Sequence, residues 1–139
     1  MKIIVYIVFL FLSFSGISQH TITIKKGQTI QGIFMCQNDD KTKEYFYFKE
    51  DGMVYILDDT KRKPNKAIPF MLACIENNQC NGVSRVPYTF EKNLVEFSFN
   101  NANYLKVMEG KFQDNGTVLV FKQSETDELM IVKEFQRIE

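Results

Sequence analysis

The amino-acid sequence predicts an all-β domain, an antiparallel up-and-down meander that closes into a barrel. Apolar residues alternate with polar ones in several short runs, as Val95, Phe97 and Phe99 do within residues 94–100. Turn residues separate the runs at hairpin distances, and little room is left for the crossovers that parallel strands need. Because a meander without covering helices must close or stack to protect its edges, a β-sandwich is the alternative architecture.

The predicted strands follow one another from residue 21 onward, and we count about nine or ten of them. The stretches 45–48 and 53–57 differ from the rest because they are apolar on both faces. The clearest runs rich in β-forming residues are 21–24, 45–48, 53–57, 86–91, 94–100, 104–108, 118–121 and 129–132.

Short polar segments connect these runs. Asp51 and Gly52 suit a two-residue type I′ hairpin turn, in which both central residues need a positive φ. Residues 58–81 are the least strand-like part of the chain. Residues 58–66 are predicted to form a polar loop, and residues 68–75 either a strand or a short helix after Pro69; both alternatives stay open.

The composition is that of a globular chain. Of its 139 residues, 45% are hydrophobic and 24% are charged, which excludes disordered and low-complexity classes. The length fits one domain. The 17 basic and 17 acidic residues balance, so no overall basic field exists to hold nucleic acid, and we predict no nucleic-acid partner.

Residues 1–18 have the organisation of a secretory signal peptide. Lys2 gives a positive start, residues 3–14 form an apolar run, and Gly16 and Ser18 supply small residues for cleavage after Ser18. The run is shorter than the roughly 20 apolar residues of a membrane-spanning helix, so no membrane span is expected after cleavage. We therefore expect a bacterial protein that is secreted or periplasmic, with residues 19–139 as a single β-barrel domain.

Two hairpin signatures resemble those of small lipocalin-like (calycin-type) exported barrels of bacteria. One is an aromatic-x-x-x-Asp-Gly-x-Val pattern that ends at Val54, and the other is a Gly-Lys-x-x-x-Asn-Gly-x-x-Leu pattern that begins at Gly110. The resemblance implies a lipocalin-like barrel and carries over no binding residue. The chain departs from the family's Gly-x-Trp motif, since it has no Trp and Phe34 stands at the nearest equivalent position.

Little in the sequence predicts catalysis. His20 is the only histidine and lies beside the predicted mature N-terminus, where a catalytic or zinc-binding imidazole is rarely held in place. The paired acids are interpreted as solvated turn residues, because adjacent side chains of an extended chain point apart; they are Asp39 and Asp40, Glu50 and Asp51, Asp58 and Asp59, and Asp127 and Glu128. We predict no enzyme activity, no catalytic residue, no metal and no cofactor.

The three cysteines predict one disulfide in an oxidising compartment. A hairpin loop of residues 76–78 would bring Cys74 opposite Cys80, with Asn78 at positive φ, and leave Cys36 free and buried. Pairing of Cys36 with Cys74 or with Cys80 is the alternative.

Two functions remain open at this stage. The first is a barrel that binds a small apolar ligand, with a cavity lined by the aromatic residues Phe46, Phe48, Tyr55, Phe97, Phe99 and Tyr104. The second is an interaction or structural module of the cell envelope, in which the barrel is filled by its own side chains and an envelope protein is the partner. Neither the ligand nor the oligomeric state follows from the sequence.

Overall fold

A computed structural model describes residues 29–78, 80–101, 104–126 and 129–139, without the side chains of residues 104, 125, 126 and 129. The predicted signal peptide at 1–18, His20 and the predicted strand at 21–24 lie outside the described residues. The described elements are β1 (Gly32–Gln37), β2 (Lys43–Phe48), β3 (Met53–Thr60), α1 (Pro64–Asn77), β4 (Ser84–Pro87), β5 (Thr89–Glu91), β6 (Leu94–Asn101), β7 (Tyr104–Gln113), a 3₁₀ turn (Asp114–Gly116), β8 (Val118–Thr126) and β9 (Leu129–Arg137).

The strands form one antiparallel sheet in the order β4-β3-β2-β1-β9-β8-β7-β6-β5. The first strand pairs with the last, with Phe34 opposite Arg137, so the meander curls round on itself. The two ends of this order, β4 and β5, are consecutive in the chain and are separated only by Tyr88. The sheet is therefore a nearly closed up-and-down barrel, which confirms the predicted all-β fold class.

The barrel has a seam where the chain changes partner strand. β4 pairs with β3 and β5 pairs with β6, so each short strand leaves one edge unpaired within the described sheet. Pro87 ends β4 and has no N–H to donate, which suits an edge strand. The next N–H, that of Tyr88, donates to the carbonyl oxygen of Gly52 at 3.0 Å and holds the junction to the β2–β3 turn.

The inward faces of the strands form an aromatic core. In β6, for example, Val95, Phe97 and Phe99 are buried while the residues between them are exposed. The ring of Phe46 stacks on that of Phe135, with centroids 4.3 Å apart, and meets Phe97 edge-on at 5.2 Å. Such ring pairs add about 0.5–1.5 kcal/mol each beyond the burial of their area. Aromatic side chains therefore fill this part of the barrel.

A helix covers the outside of part of the sheet. On the outer faces of β2 and β3, Tyr45, Tyr55 and Leu57 form a second apolar cluster with Ala67 and Met71 of α1. The hydroxyl of Tyr45 donates to the carbonyl oxygen of Arg62 at 2.8 Å. This cover explains why the sequence of β2 and β3 is apolar on both faces.

The prediction of a polar loop over residues 58–66 is wrong. β3 continues to Thr60 and α1 already begins at Pro64, where the missing N–H costs no helical hydrogen bond. Pro69 lies inside the helix rather than before it and removes one interior hydrogen bond. Burial of Ala67, Met71 and the Cys74 side chain along one face favours the helix despite that loss.

The predicted type I′ turn at Asp51 and Gly52 is also wrong. Only Gly52 has a positive φ there, and its N–H donates to Lys49, which gives a three-residue loop with glycine at the left-handed position. A two-residue turn with both central residues at positive φ joins β5 to β6, at Lys92 and Asn93.

Within the residues described, no helix has the length and apolar character needed to cross a bilayer.

Candidate ligand-binding site

Four of the six residues predicted to line a ligand cavity come together inside the barrel. Phe46, Phe48, Phe97 and Phe99 are all buried, and the centroid of the Phe46 ring lies 5.2–6.5 Å from those of the other three. Rings at these distances contact one another, so this part of the interior is occupied by protein. An open groove lies elsewhere, at the seam.

The other two predicted lining residues are not part of this cluster. Tyr55 lies on the outer face of β3, where its ring is near Tyr47 and between the cationic groups of Lys49 and Arg85, each 5.9 Å from the ring centroid. The side chain of Tyr104 lies outside the described part of the chain. The predicted set therefore divides into a core cluster, an outer-surface residue and a position without a described side chain.

An open groove of about 450 Å³ lies along the seam, and we call it the seam groove. The β2–β3 turn and the β4–β5 junction form one wall, and strands β6 and β7 form the other. Its lining residues are Asp51, Gly52, Met53, Pro87, Tyr88, Thr89, Glu96, Phe97, Ser98, Val107, Met108 and Glu109.

Tyr88 holds one wall of the seam groove in place. Its hydroxyl accepts a hydrogen bond from the N–H of Ile30 at 2.8 Å and lies 3.0 Å from the carbonyl oxygen of Lys49, to which it can donate. Burial raises the pKa of the Tyr88 phenol, since the charged form would lose its hydration. The phenol therefore stays neutral and fixes three separate segments around the groove.

The wall formed by β6 and β7 carries both apolar and acidic side chains. Val107 is 45% exposed, which leaves an apolar β-branched side chain facing the groove and solvent. Glu96 and Glu109 are directly paired across β6 and β7, an arrangement in which like charges repel. With Asp51, these two residues give the groove a border of three carboxylates.

The opposite end of the barrel interior is polar. We call the inward-facing residues Glu44, Asp58, Lys106, Gln123 and Lys133 the polar layer. The Lys106 ammonium, in a residue only 3% exposed, lies 2.9 Å from Asp58 Oδ2, and Lys133 pairs with Glu44 Oε1. Buried charges are costly unless paired, so these contacts decide the stability of this end.

Neighbouring amides extend the polar layer. Asn101 Nδ2 donates to Asp58 Oδ2 at 2.6 Å and to Asp59 Oδ2 at 3.1 Å, and Asn38 Nδ2 donates to Glu44 Oε1 at 3.1 Å. Carboxylate oxygens of Glu44, Asp58 and Asp59 lie within 4.8 Å of one another.

Burial and the charges of the polar layer together shift the pKa values of Lys106 and Cys36. Burial alone would lower the pKa of Lys106, but the hydrogen bond and charge of Asp58 outweigh it and raise the pKa above its ordinary value. Burial, reinforced by the negative charge of Glu44, raises the pKa of the Cys36 thiol to about 11.

A second opening, of about 260 Å³, leads to the polar layer between β4 and the end of β6, and we call it the polar gap. Its lining residues are Ile56, Asp58, Gly82, Val83, Ser84, Phe99, Asn100 and Asn101.

The sequence-based interpretation of Asp58 as a solvated turn acid is wrong, and Glu44 and Lys106 were missed. Asp58 lies on β3 with its side chain 13% exposed and ion-paired. The signal available in the sequence was the alternation of side chains along a strand, in which every second residue lies on the same face. Glu44 is two residues from Phe46, and Lys106 is two residues from Met108. Alternation places such residues on the apolar inner face, where a charge needs a partner.

The predicted Cys74–Cys80 disulfide is confirmed, with a Cα–Cα distance of 5.0 Å, and Cys36 is free and buried as expected. The hairpin proposed to position it is wrong. Cys74 lies in the last turns of α1, and Asn78 takes its positive φ as the C-cap of that helix. The bond therefore ties the helix end to the segment that leads into β4.

Comparison of the chain with protein-family models, with curated proteins and with solved structures gave no match. The physical arguments for function therefore depend on the seam groove and the polar layer.

Proposed function

We propose that this protein is an exported, non-enzymatic binding protein that holds a small apolar ligand in the seam groove. One observation carries the proposal: an open groove of about 450 Å³ borders an aromatic core that is otherwise filled. Ligand pockets in proteins usually measure roughly 300–1,000 Å³, so the groove has room for a small molecule.

The walls of the seam groove favour an apolar body. Met53, Pro87 and Val107 supply aliphatic surface, and Phe97 and Tyr88 supply aromatic edges. Removing apolar ligand surface from water is favourable by roughly 25 cal/mol per Å², which is the main driving force available here.

The border of the seam groove selects against anionic ligands. Asp51, Glu96 and Glu109 place three carboxylates around the opening, and the groove residues include no lysine or arginine. An anionic head group would meet like charges there. We therefore expect neutral or cationic apolar molecules to bind in preference to fatty acids.

Export is supported by two features. The N-terminal residues have the order of charge, apolar run and small residues that a signal peptide needs. The Cys74–Cys80 disulfide fits an oxidising compartment, since such bonds are rare in the cytosol.

The filled-barrel alternative, an interaction module of the cell envelope, is favoured by a separate observation. Leu105, Val107, Met130 and Val132 are large apolar residues exposed on the outer face of β7 and β9. Exposed apolar patches often mark contact surfaces for other proteins. Lys122 and Ser124 of β8 lie between the two strands, and of the four residues only Val107 also lines the seam groove.

A fluorescence titration tests the proposal. N-phenyl-1-naphthylamine, a neutral apolar probe, should bind saturably, and the anionic probe 8-anilinonaphthalene-1-sulfonate should bind more weakly. Val107→Asp should weaken binding of the neutral probe at least about tenfold, because the probe would desolvate a carboxylate. The control Val132→Asp makes the same change at a more exposed valine (65%) outside the groove and should leave the affinity unchanged.

The two variants separate the alternatives. Loss of binding in Val107→Asp alone supports the seam groove. Equal loss in both variants, or no saturable binding by the wild-type protein, contradicts it. Under the interaction-module alternative, Val132→Asp should instead abolish recovery of an envelope protein in a pull-down.

A further inference from the structure

We propose that the polar gap is a second binding site, which holds the ammonium group of a small organic amine against the carboxylates of Asp58, Asp59 and Glu44. This site is separate from the seam groove and does not depend on the function proposed for that groove.

The three carboxylates already converge. Their oxygens lie within 4.8 Å of one another although Glu44 belongs to β2 and the two aspartates to β3. Asn101 holds the two aspartates from the β6 side, since its amide nitrogen donates to both. An ammonium group has three N–H donors, which matches the number of carboxylates.

A buried oxygen in this cluster lacks a partner. Glu44 is fully buried, and within the described part of the chain its Oε2 has no hydrogen-bond partner, although Oε1 is bonded to Lys133 and Asn38. Leaving a buried charged acceptor unsatisfied is costly, and native structures rarely do so without a bound group. This oxygen points to a donor that the described residues do not supply.

The formal charges of the cluster indicate the charge of a ligand that would bind there. Glu44, Asp58 and Asp59 carry three formal negative charges, and Lys106 and Lys133 supply two positive ones, which leaves a net charge of −1. One more positive charge neutralises the cluster. A divalent metal ion would instead leave an excess positive charge beside the ammonium groups of Lys106 and Lys133. Calcium would also need six to eight oxygen ligands.

The polar gap has room for more than an ion. Its volume is about 260 Å³, and Ile56, Val83 and Phe99 give it apolar walls next to Asp58. Of the three carboxylate residues, Asp58 lines the gap, and oxygens of Asp59 and Glu44 lie within 4.8 Å of its carboxylate. A compact aliphatic or aromatic body can therefore lie against these walls while its ammonium contacts Asp58 and the two neighbouring carboxylates. The expected ligand class is therefore a small primary amine with an apolar body.

Calorimetric titration of the purified protein with 2-phenylethylamine at pH 7 tests the proposal. 2-Phenylethanol has the same body without the charge and should bind at least about tenfold more weakly, because charge-assisted hydrogen bonds are the stronger ones. Asp59→Asn should weaken amine binding about fivefold and keep the fold, since Asp59 is exposed and an amide oxygen can still accept from Asn101. Glu91→Gln removes one negative charge on the distant strand β5 and is the matched control.

Each outcome of the titration either supports the amine site or contradicts it. Saturable binding of the amine that is weakened by Asp59→Asn and unaffected by Glu91→Gln supports the site. Equal affinity for the alcohol, an unchanged affinity in Asp59→Asn, or no saturable amine binding overturns it. Displacement of the amine by calcium chloride at equal concentration also overturns it and identifies a metal site instead. Urea unfolding of each variant confirms that the comparison is between folded proteins.

Discussion

Gly110 and Phe121 are directly paired on β7 and β8, and the phenyl ring fills the space where a side chain at position 110 would begin. A Cβ atom on Gly110 would lie 2.5 Å from two ring carbons of Phe121. We expect Gly110→Ala to destabilise the protein by about 1–3 kcal/mol, because the buried ring cannot move without disturbing the core. Urea unfolding followed by circular dichroism measures the change.

A double variant identifies the cause of that loss. In a Phe121→Leu background the side chain opposite position 110 is smaller, so Gly110→Ala should cost clearly less there than in the wild-type background. An equal cost in both backgrounds would mean that the ring contact is not responsible.

Alternation alone predicted the inward face of β6 correctly. Val95, Phe97 and Phe99 were assigned to one face from their spacing, and they are buried together. The sequence of residues 68–75 fits either a strand or a short helix after Pro69, so it does not by itself predict α1. The spacing of Ala67, Met71 and Cys74, together with Pro64 at the start, was a helical signal that outweighs one internal proline.

The polar layer could be predicted only in part. The alternation of side chains along β2 and β7 shows that Glu44 and Lys106 point inward, but it does not show which residue forms an ion pair with each of them. Glu44 on β2 pairs with Lys133 on β9, two strands that are not neighbours in the sheet because β1 lies between them. The pairing depends on the curvature and registry of the closed barrel, which no local pattern encodes.

The Asp58–Lys106 ion pair should behave as a coupled unit. Asp58→Asn leaves the buried Lys106 ammonium without its closest carboxylate and should destabilise the protein by about 3 kcal/mol. Adding Lys106→Met removes the stranded charge, so the double variant should recover most of the loss. Urea unfolding of the four proteins gives the coupling energy, and additive losses would contradict a direct pair.

Alkaline pH should weaken the contribution of the same pair. The pKa of folded Lys106 is raised above the ordinary value of 10.5 by its contacts with Asp58, so its stabilisation is complete below that value and is lost as the pH rises through the folded pKa. The stability of wild type relative to Lys106→Met should therefore be constant at lower pH and fall as the pH rises above 10.5. Groups common to both proteins cancel in this comparison, and a constant difference would contradict the pair's role.

Tyr88→Phe should loosen the junction between β4 and β5. The change leaves the buried N–H of Ile30 without the hydroxyl that accepts its hydrogen bond, at a cost of roughly 1–3 kcal/mol. Amide hydrogen exchange should be faster at Ile30 in the variant. Exchange at Phe121, in the core away from the junction, is the internal reference and should change only with global stability.

The thiol of Cys36 should not react with thiol reagents in the folded protein. Its thiol is buried, and burial together with the charge of Glu44 raises its pKa to about 11, so the reactive thiolate is scarce at pH 8. Ellman's reagent should therefore modify the folded protein only at the rate of its unfolding. In urea it should rapidly release one equivalent per chain, because the other two cysteines are joined. Cys36→Ala should abolish that release, whereas rapid stoichiometric reaction of the folded wild type would show that the thiol is accessible from the polar end of the barrel.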